Sequence, residues 1–331
     1  MHVDIDGGVR VVTLAAGFEW SWTKKDVKSF CKLVSWNIQS RDEYGAVLRT
    51  TLGVDPSVAN VTYDRAFLKR HGKSHQQMLQ VSVYVTDLLD PDMPDLDVFL
   101  VDKFAELSAL IEIELGEPTR RSPGYQPEIA WYLPHAAIVL AVGSRFIQID
   151  VVNPTYQEWW DRQDDEDDDL DEFIEPEESV GDEVENGLHG GPLEWNDYIS
   201  ALAATLWLMP DDGRLELATA NGIVRFALID YHLSCEVVFN EISTATIVQD
   251  AQTIFSSNIW DASKNGGVMS WKYKLNWPSV FEKYELAAAE VVEIINKAYH
   301  VDQTSEIVVE AWNPTGDAPD ISRLGAVEYF D

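Results

Sequence analysis

The sequence predicts an α+β protein of two domains, each an antiparallel sheet with helices packed on it, joined by an acidic linker. Three observations carry that expectation. The 331 residues are 46% apolar, enough to build two cores of ordinary size. Helical and strand periodicities alternate on both sides of one abrupt change in composition. That change is "DRQDDEDDDLDEFIEPEE", residues 161–178, where twelve carboxylates stand against the one guanidinium of Arg162. The expected boundaries are an amino-terminal domain over 1–157, an acidic linker over 158–192 and a carboxy-terminal domain over 193–331.

In the first half, a helix is expected from Thr23 to Ser35. Thr23 is a good N-cap with Asp26 three residues on, Trp22 and Val27 sit at the staple positions, and Val27, Phe30, Cys31 and Val34 recur at helical spacing. Strand signals follow at Ala46–Leu52 and Ala59–Tyr63. The clearest is "MLQVSVYVT", residues 78–86, where Leu79, Val81, Val83 and Val85 alternate with polar or amphipathic neighbours. A helix from Leu96 to Leu115 is closed by Gly116 and Pro118. "IAWYL", "AAIVLAV" and "FIQIDVV" then read as three more strands.

The second half opens with a helix at Glu194–Leu208 whose Leu202, Leu206 and Trp207 point inward. "RLELATANGIVRFALIDYHLSCEVVFN" reads as a three-stranded meander, with Asn221-Gly222 as one hairpin signal and Asp230–His232 as the next turn. Helices are expected at Thr244–Ser256 and Ser279–Ala298, with "SWKYKLNW" between them as a further strand. The similar order of elements in the two halves suggests a duplicated fold.

Charge narrows the partners. Residues 158–185 hold sixteen acids and one arginine, so that window supplies −15 of the net charge of −33 and the rest of the chain −18. Such a field repels phosphate backbones and anionic membranes, so neither nucleic acid nor membrane is an expected partner, whereas basic proteins and cations are. The amino terminus lacks the basic start and apolar run of a signal peptide, and no stretch reaches the roughly 18 apolar residues of a membrane span, so a cytoplasmic protein is expected. Cys31 and Cys235 each sit among apolar neighbours and read as reduced core residues. The tryptophans around the first helix and around "KYKL" read as packing, with a peptide-binding face as the alternative.

Chemical motifs are sparse. Asp167, Asp169, Asp171 and Glu178 occupy the first, third, fifth and twelfth places of a calcium-loop register, but Glu172 stands where the loop requires Gly and Pro176 falls inside it. His71 and His75 are four apart, yet Gly72 and the flanking cations describe a polar loop rather than a metal-binding helix. No nucleophile elbow, phosphate-binding loop or dinucleotide fingerprint occurs, so no catalytic, cofactor or metal residue is assigned and no cofactor is expected. The candidate partner-binding residues are Asp164, Asp165, Glu166, Asp167, Asp168, Asp169, Asp171, Glu172, Phe173 and Ile174. The last two are apolar anchors that a pure spacer does not need.

A family resemblance rests on "LEWNDYISALAATLWLMPDDGRLELATANGIVRFALIDYHLSCEVVFNE", "SWKYKLNW" and "AAEVVEIINKAYHV". These stretches resemble the TY-Chap domains of actinobacteria, peptide-binding chaperones akin to type III secretion chaperones. "FEWSWTKKDVKSFCKLVSW", "LGEPTRRSPG" and the following "IAWYLPHAAIVLAV" resemble a companion actinobacterial domain of unknown function. The resemblance implies an α+β fold, no catalysis, and a cytoplasmic role as chaperone or immunity protein for a secreted or polymorphic toxin. The alternative readings are a structural or adaptor protein with an inert acidic linker, or an enzyme without a recognised motif.

Overall fold

The computed structural model describes residues 1–63, 78–158, 193–239, 254, 260–265 and 268–325. These fall into two compact α+β units, one holding the described residues of 1–122 and 126–158, the other those of 193–325 together with Pro123–Tyr125. The helix expected at Thr244–Ser256 lies, apart from Ile254, outside the described residues, as do His71 and His75.

The first unit runs α1 (Ile5–Ala16), α2 (Lys24–Val34), β1 (Asn37–Arg41), β2 (Gly45–Arg49), β3 (Val58–Thr62), β4 (Gln80–Tyr84), α3 (Leu96–Leu115), β5 (Arg120–Ser122), β6 (Glu128–Tyr132), β7 (Ala137–Gly143) and β8 (Phe146–Val152). The sheet has eight strands in the order β1-β2-β3-β4-β8-β7-β6-β5. It is two four-stranded antiparallel meanders joined where β4 pairs with β8, and α3 carries the chain from the centre of the sheet to its far edge. Helices α1 and α3 pack together and against β7 and β8, enclosing Val12, Ala15, Phe104, Leu107 and Ile111 with Val83, Leu140, Ile147 and Ile149.

Local sequence explains most of these bounds. The Asp26 carboxylate accepts the backbone N–H groups of Ser21 (2.9 Å) and Thr23 (3.2 Å), tying down the start of α2, and Ser35 in the left-handed region (φ 61°) ends it. Trp20, Trp22 and Trp36 are buried around Phe30, with Trp20 and Trp22 stacked at 4.8 Å, so these rings pack the core rather than form a peptide-binding face. Helix α1 was not expected, because Gly7 and Gly8 each weaken a helix by roughly 1 kcal/mol relative to Ala. Packing overrides that preference: a Cβ on Gly8 would sit 3.1 Å from Val85 and 3.4 Å from Ile149, so glycine lets α1 approach the sheet.

The second unit runs α4 (Trp195–Trp207), β9 (Arg214–Ala218), β10 (Gly222–Ile229), β11 (His232–Phe239), β12 (Asp261–Asn265), β13 (Val268–Asn276), α5 (Phe281–Glu293) and β14 (Val308–Trp312), with a π-helical turn at Ile294–Ala298 extending α5. Its six strands are ordered β12-β13-β11-β10-β9-β14, all antiparallel. Helices α4 and α5 lie side by side; Trp207 stacks on Trp277 at 5.8 Å, and Trp260 donates to Glu290 Oε2 at 2.6 Å. Among the described residues strand number and order differ between the two sheets, so the expected duplication of the fold is not seen there.

The β9–β10 hairpin forms where expected but for another reason. Thr219 N–H bonds Gly222 O at 2.9 Å, so the turn centres on Ala220 and Asn221, and Gly222 already belongs to the strand. Glycine is needed there because a Cβ would lie 2.3 Å from the Tyr299 ring, whose hydroxyl donates to Val238 O at 2.9 Å. The next hairpin, at Asp230-Tyr231, carries both residues in the left-handed region (φ 50° and 62°), the conformation a two-residue turn between twisted strands requires.

Candidate functional site

Helices cover one face of the first sheet, and strand alternation sends a different set of side chains to the other. Across six strands one row on that outer face reads Asn60, Ser82, Asp150, Val139, Ala130 and Arg120. Asp150 stands in the middle, between strands that bring Gln80 and Ser82 on one side and Glu128 and Arg120 on the other.

A cavity of about 340 Å³ opens at this point, near the lower end of the ~300–1,000 Å³ typical of ligand pockets. Val139 and Val152 line its apolar part, and with Ala130 and Ala137 they form a small cluster against which Tyr156 packs. Tyr156 and Gln157 reach the cavity because Asn153 starts a short helical turn over 154–158. The Asn153 carbonyl accepts the N–H groups of Tyr156 (2.8 Å) and Gln157 (3.0 Å), its Oδ1 accepts that of Thr155 (3.1 Å), and its Nδ2 donates to Met78 O (3.2 Å). Pro154, with its fixed φ, suits the first position of that turn.

Asp150 is the polar centre of the cavity. Gln148 Nε2 donates to its Oδ2 at 2.8 Å, while its Oδ1 is shut off from solvent and has no hydrogen-bond partner. Burial raises its pKa from 3.8 to about 6; the Ser82 hydroxyl and Gln148 amide pull it back, and the charge of Glu128 adds to the rise. Arg120 and Glu128 form a close ion pair at the side of the cavity. Among the lining residues two carboxylates thus face one guanidinium, leaving one negative charge uncompensated.

The second unit presents a different outer face. Its central cross-strand row reads Glu310, Glu216, Arg225, Glu236, Lys272 and Asp261, with ion pairs Arg225–Glu216 at 2.8 Å and Lys272–Glu236 at 3.1 Å. Such charges belong on a solvated sheet face, where opposite signs directly across a ladder contribute ~0.2–1 kcal/mol each. A groove of about 640 Å³ between α4 and α5 is lined by Ile199, Leu286 and Ala289 with Glu282, Lys283 and Glu285 at its sides.

The residues expected from the sequence to bind a partner, Asp164 to Asp169, Asp171, Glu172, Phe173 and Ile174, all lie outside the described residues. Asp150 was missed. The signal existed: Phe146, Gln148, Asp150 and Val152 share one side of "FIQIDVV", and Asn153-Pro154 is a helix-start pair. Neither says that β8 pairs with β4, which is what brings Gln80 and Ser82 alongside. Cys31 and Cys235 are buried free thiols, and burial raises the pKa of both. Among the described residues no cluster of three or more His, Cys, Asp or Glu is placed to hold a metal ion, and no helix is long and apolar enough to cross a membrane.

Residues 6–153 match a family of unknown function, DUF6301. The matched stretch contains Asp150 and its strand neighbours and ends before Tyr156 and Gln157. The chain matches no curated protein.

Proposed function

We propose that the chain is a non-enzymatic protein-binding module, a specialised cytoplasmic chaperone or immunity protein that holds a secreted client or neutralises a cognate toxin. The observation that carries this reading is the acidic window: sixteen acids against one arginine over residues 158–185, interleaved with Trp159, Trp160, Phe173 and Ile174. Long-range attraction to a basic surface speeds encounter, and apolar anchors slow release after it. The resemblance of the second half to TY-Chap domains agrees with a peptide-binding role. A toxin that acts on nucleic acid presents a basic cleft, which a run of carboxylates covers as a mimic of the polyanion.

The test is capture from the native host with the full chain, followed by mass spectrometry, in parallel with a variant in which Asp164, Asp165, Glu166, Asp167, Asp168 and Asp169 become Asn or Gln. A basic client retained by the parent chain and depleted by the variant supports the reading. Recovery of the same set by both leaves the window as a spacer.

A further inference from the structure

We propose that the cavity around Asp150 is a recognition pocket for a single cationic side chain, arginine or lysine, presented by a peptide segment laid along the outer face of the first sheet. This rests on the protein-binding reading and adds a second contact site, in a different part of the chain from the acidic window.

Three features of the cavity select the ligand. Asp150 Oδ1 is an acceptor without a donor and without solvent, a costly state for a carboxylate unless something else supplies the missing hydrogen bond and charge. Its other oxygen is already engaged by Gln148, and the Ser82 hydroxyl across the strand pair also acts on the carboxylate. Arg120, the one cation of the lining, is held by Glu128, so a further monocation brings the lining to neutrality. An anionic ligand would add a third negative charge. A neutral amide would give Oδ1 a donor but leave the charge uncompensated. The valines and Tyr156 offer apolar contact to the methylene stem of a long basic side chain while its head reaches the carboxylate.

The chemistry predicts a pH response. Protonation of Asp150 removes the charge the ligand pairs with, so affinity falls as pH drops through about 6. The groups facing it are Ser82 and Gln80 from β4, Gln148 from its own strand, Glu128 from β6, Arg120 from β5, and Tyr156 and Gln157 from the turn after β8. Glu128 is the other carboxylate of the lining, so the pH profile is recorded on D150N as well.

The probes are capped glycine–serine heptapeptides carrying one central Arg, Lys or Gln, titrated into the full chain by calorimetry, with the Asp150 carboxyl followed by carbon-detected NMR. The Arg and Lys peptides should bind on the order of tenfold or more tighter than the Gln peptide, the scale of a charge-assisted over a neutral hydrogen bond. Binding should lower the Asp150 titration midpoint, and D150N, its fold checked by its thermal transition, should bind all three peptides equally weakly. Equal affinity for the three peptides in the parent chain, unchanged affinity in D150N, or no saturable binding at millimolar peptide overturns the proposal. A client captured equally by D150N and the parent overturns the pocket while leaving the protein-binding reading in place. Asp150-dependent peptide binding in a chain that captures no client keeps the pocket and removes the client.

Discussion

Replacing Asp150 with Asn should make the protein more stable at neutral pH. A carboxyl whose pKa rises from 3.8 to about 6 on folding binds its proton more tightly in the folded state. The stability this group contributes is therefore fully present below 3.8 and is lost as pH rises through about 6. At ~1.36 kcal/mol per pH unit, the ionised group at neutral pH costs about 3 kcal/mol relative to its protonated form. Asn keeps the shape of the side chain and carries no charge, so it escapes that cost. The Gln148 amide has only to present its oxygen instead of its nitrogen to the new Nδ2. Urea denaturation of D150N and parent, followed by fluorescence, measures the difference. The advantage of the variant should grow by about 2 kcal/mol between about pH 4.5 and about pH 7.5, because the parent's carboxyl ionises over that interval. Comparing the two proteins at each pH cancels the general relief of acidic repulsion that lowering the pH brings. A difference that stays flat with pH would refute the reasoning, since Asp150 would then ionise as it does in the unfolded chain. A carboxylate that costs the fold stability and serves a ligand makes stability and binding at this position move in opposite directions.

Further expectations follow from other parts of the fold. Cys31 and Cys235 should react with a thiol reagent only after denaturant is added, because both are buried and burial raises their pKa; rapid labelling of the native protein would contradict this. Gly222→Ala should destabilise the second unit by roughly 1–3 kcal/mol, the usual cost of overpacking, and its denaturation midpoint reads the loss. Neutral behaviour would mean that the Tyr299 ring can leave Gly222 without breaking its bond to Val238. Limited proteolysis should cut between Trp160 and Leu193 and release two folded fragments, judged by circular dichroism. Loss of fold in both fragments after one cut would make the acidic window part of a shared core.

What the sequence revealed and what it hid have physical causes. Helix α2 was legible because Thr23 and Asp26 mark its start and four apolar residues follow at helical spacing; α3 was legible because Gly116 and Pro118 close it. Strands β7 and β8 announce themselves by long apolar runs. Strand β1, "NIQSR", is an edge strand whose residues are exposed apart from half-buried Ile38, so burial left no alternation to read. Strand β5 has three half-buried residues, and β14 carries exposed Val308 and Trp312 that mask its pattern. The acidic window was visible as composition alone. The Asp150 cavity was not, because it depends on the pairing of β4 with β8, whose partners Ser82 and Asp150 are far apart in the chain. A lone Asp in a strand otherwise reads as facing water.

The central claim is that this chain binds a basic protein and uses charge to find it. Its most direct test is the association rate constant of the captured client, measured by stopped-flow fluorescence at low and physiological salt for the parent chain and for the variant lacking the six carboxylates from Asp164 to Asp169. Exposed charges act over a Debye length of about 8 Å at physiological salt, so the parent's rate should fall steeply as salt rises, and the variant should start slower and vary less. Equal rates and equal salt dependence for the two proteins would contradict the account.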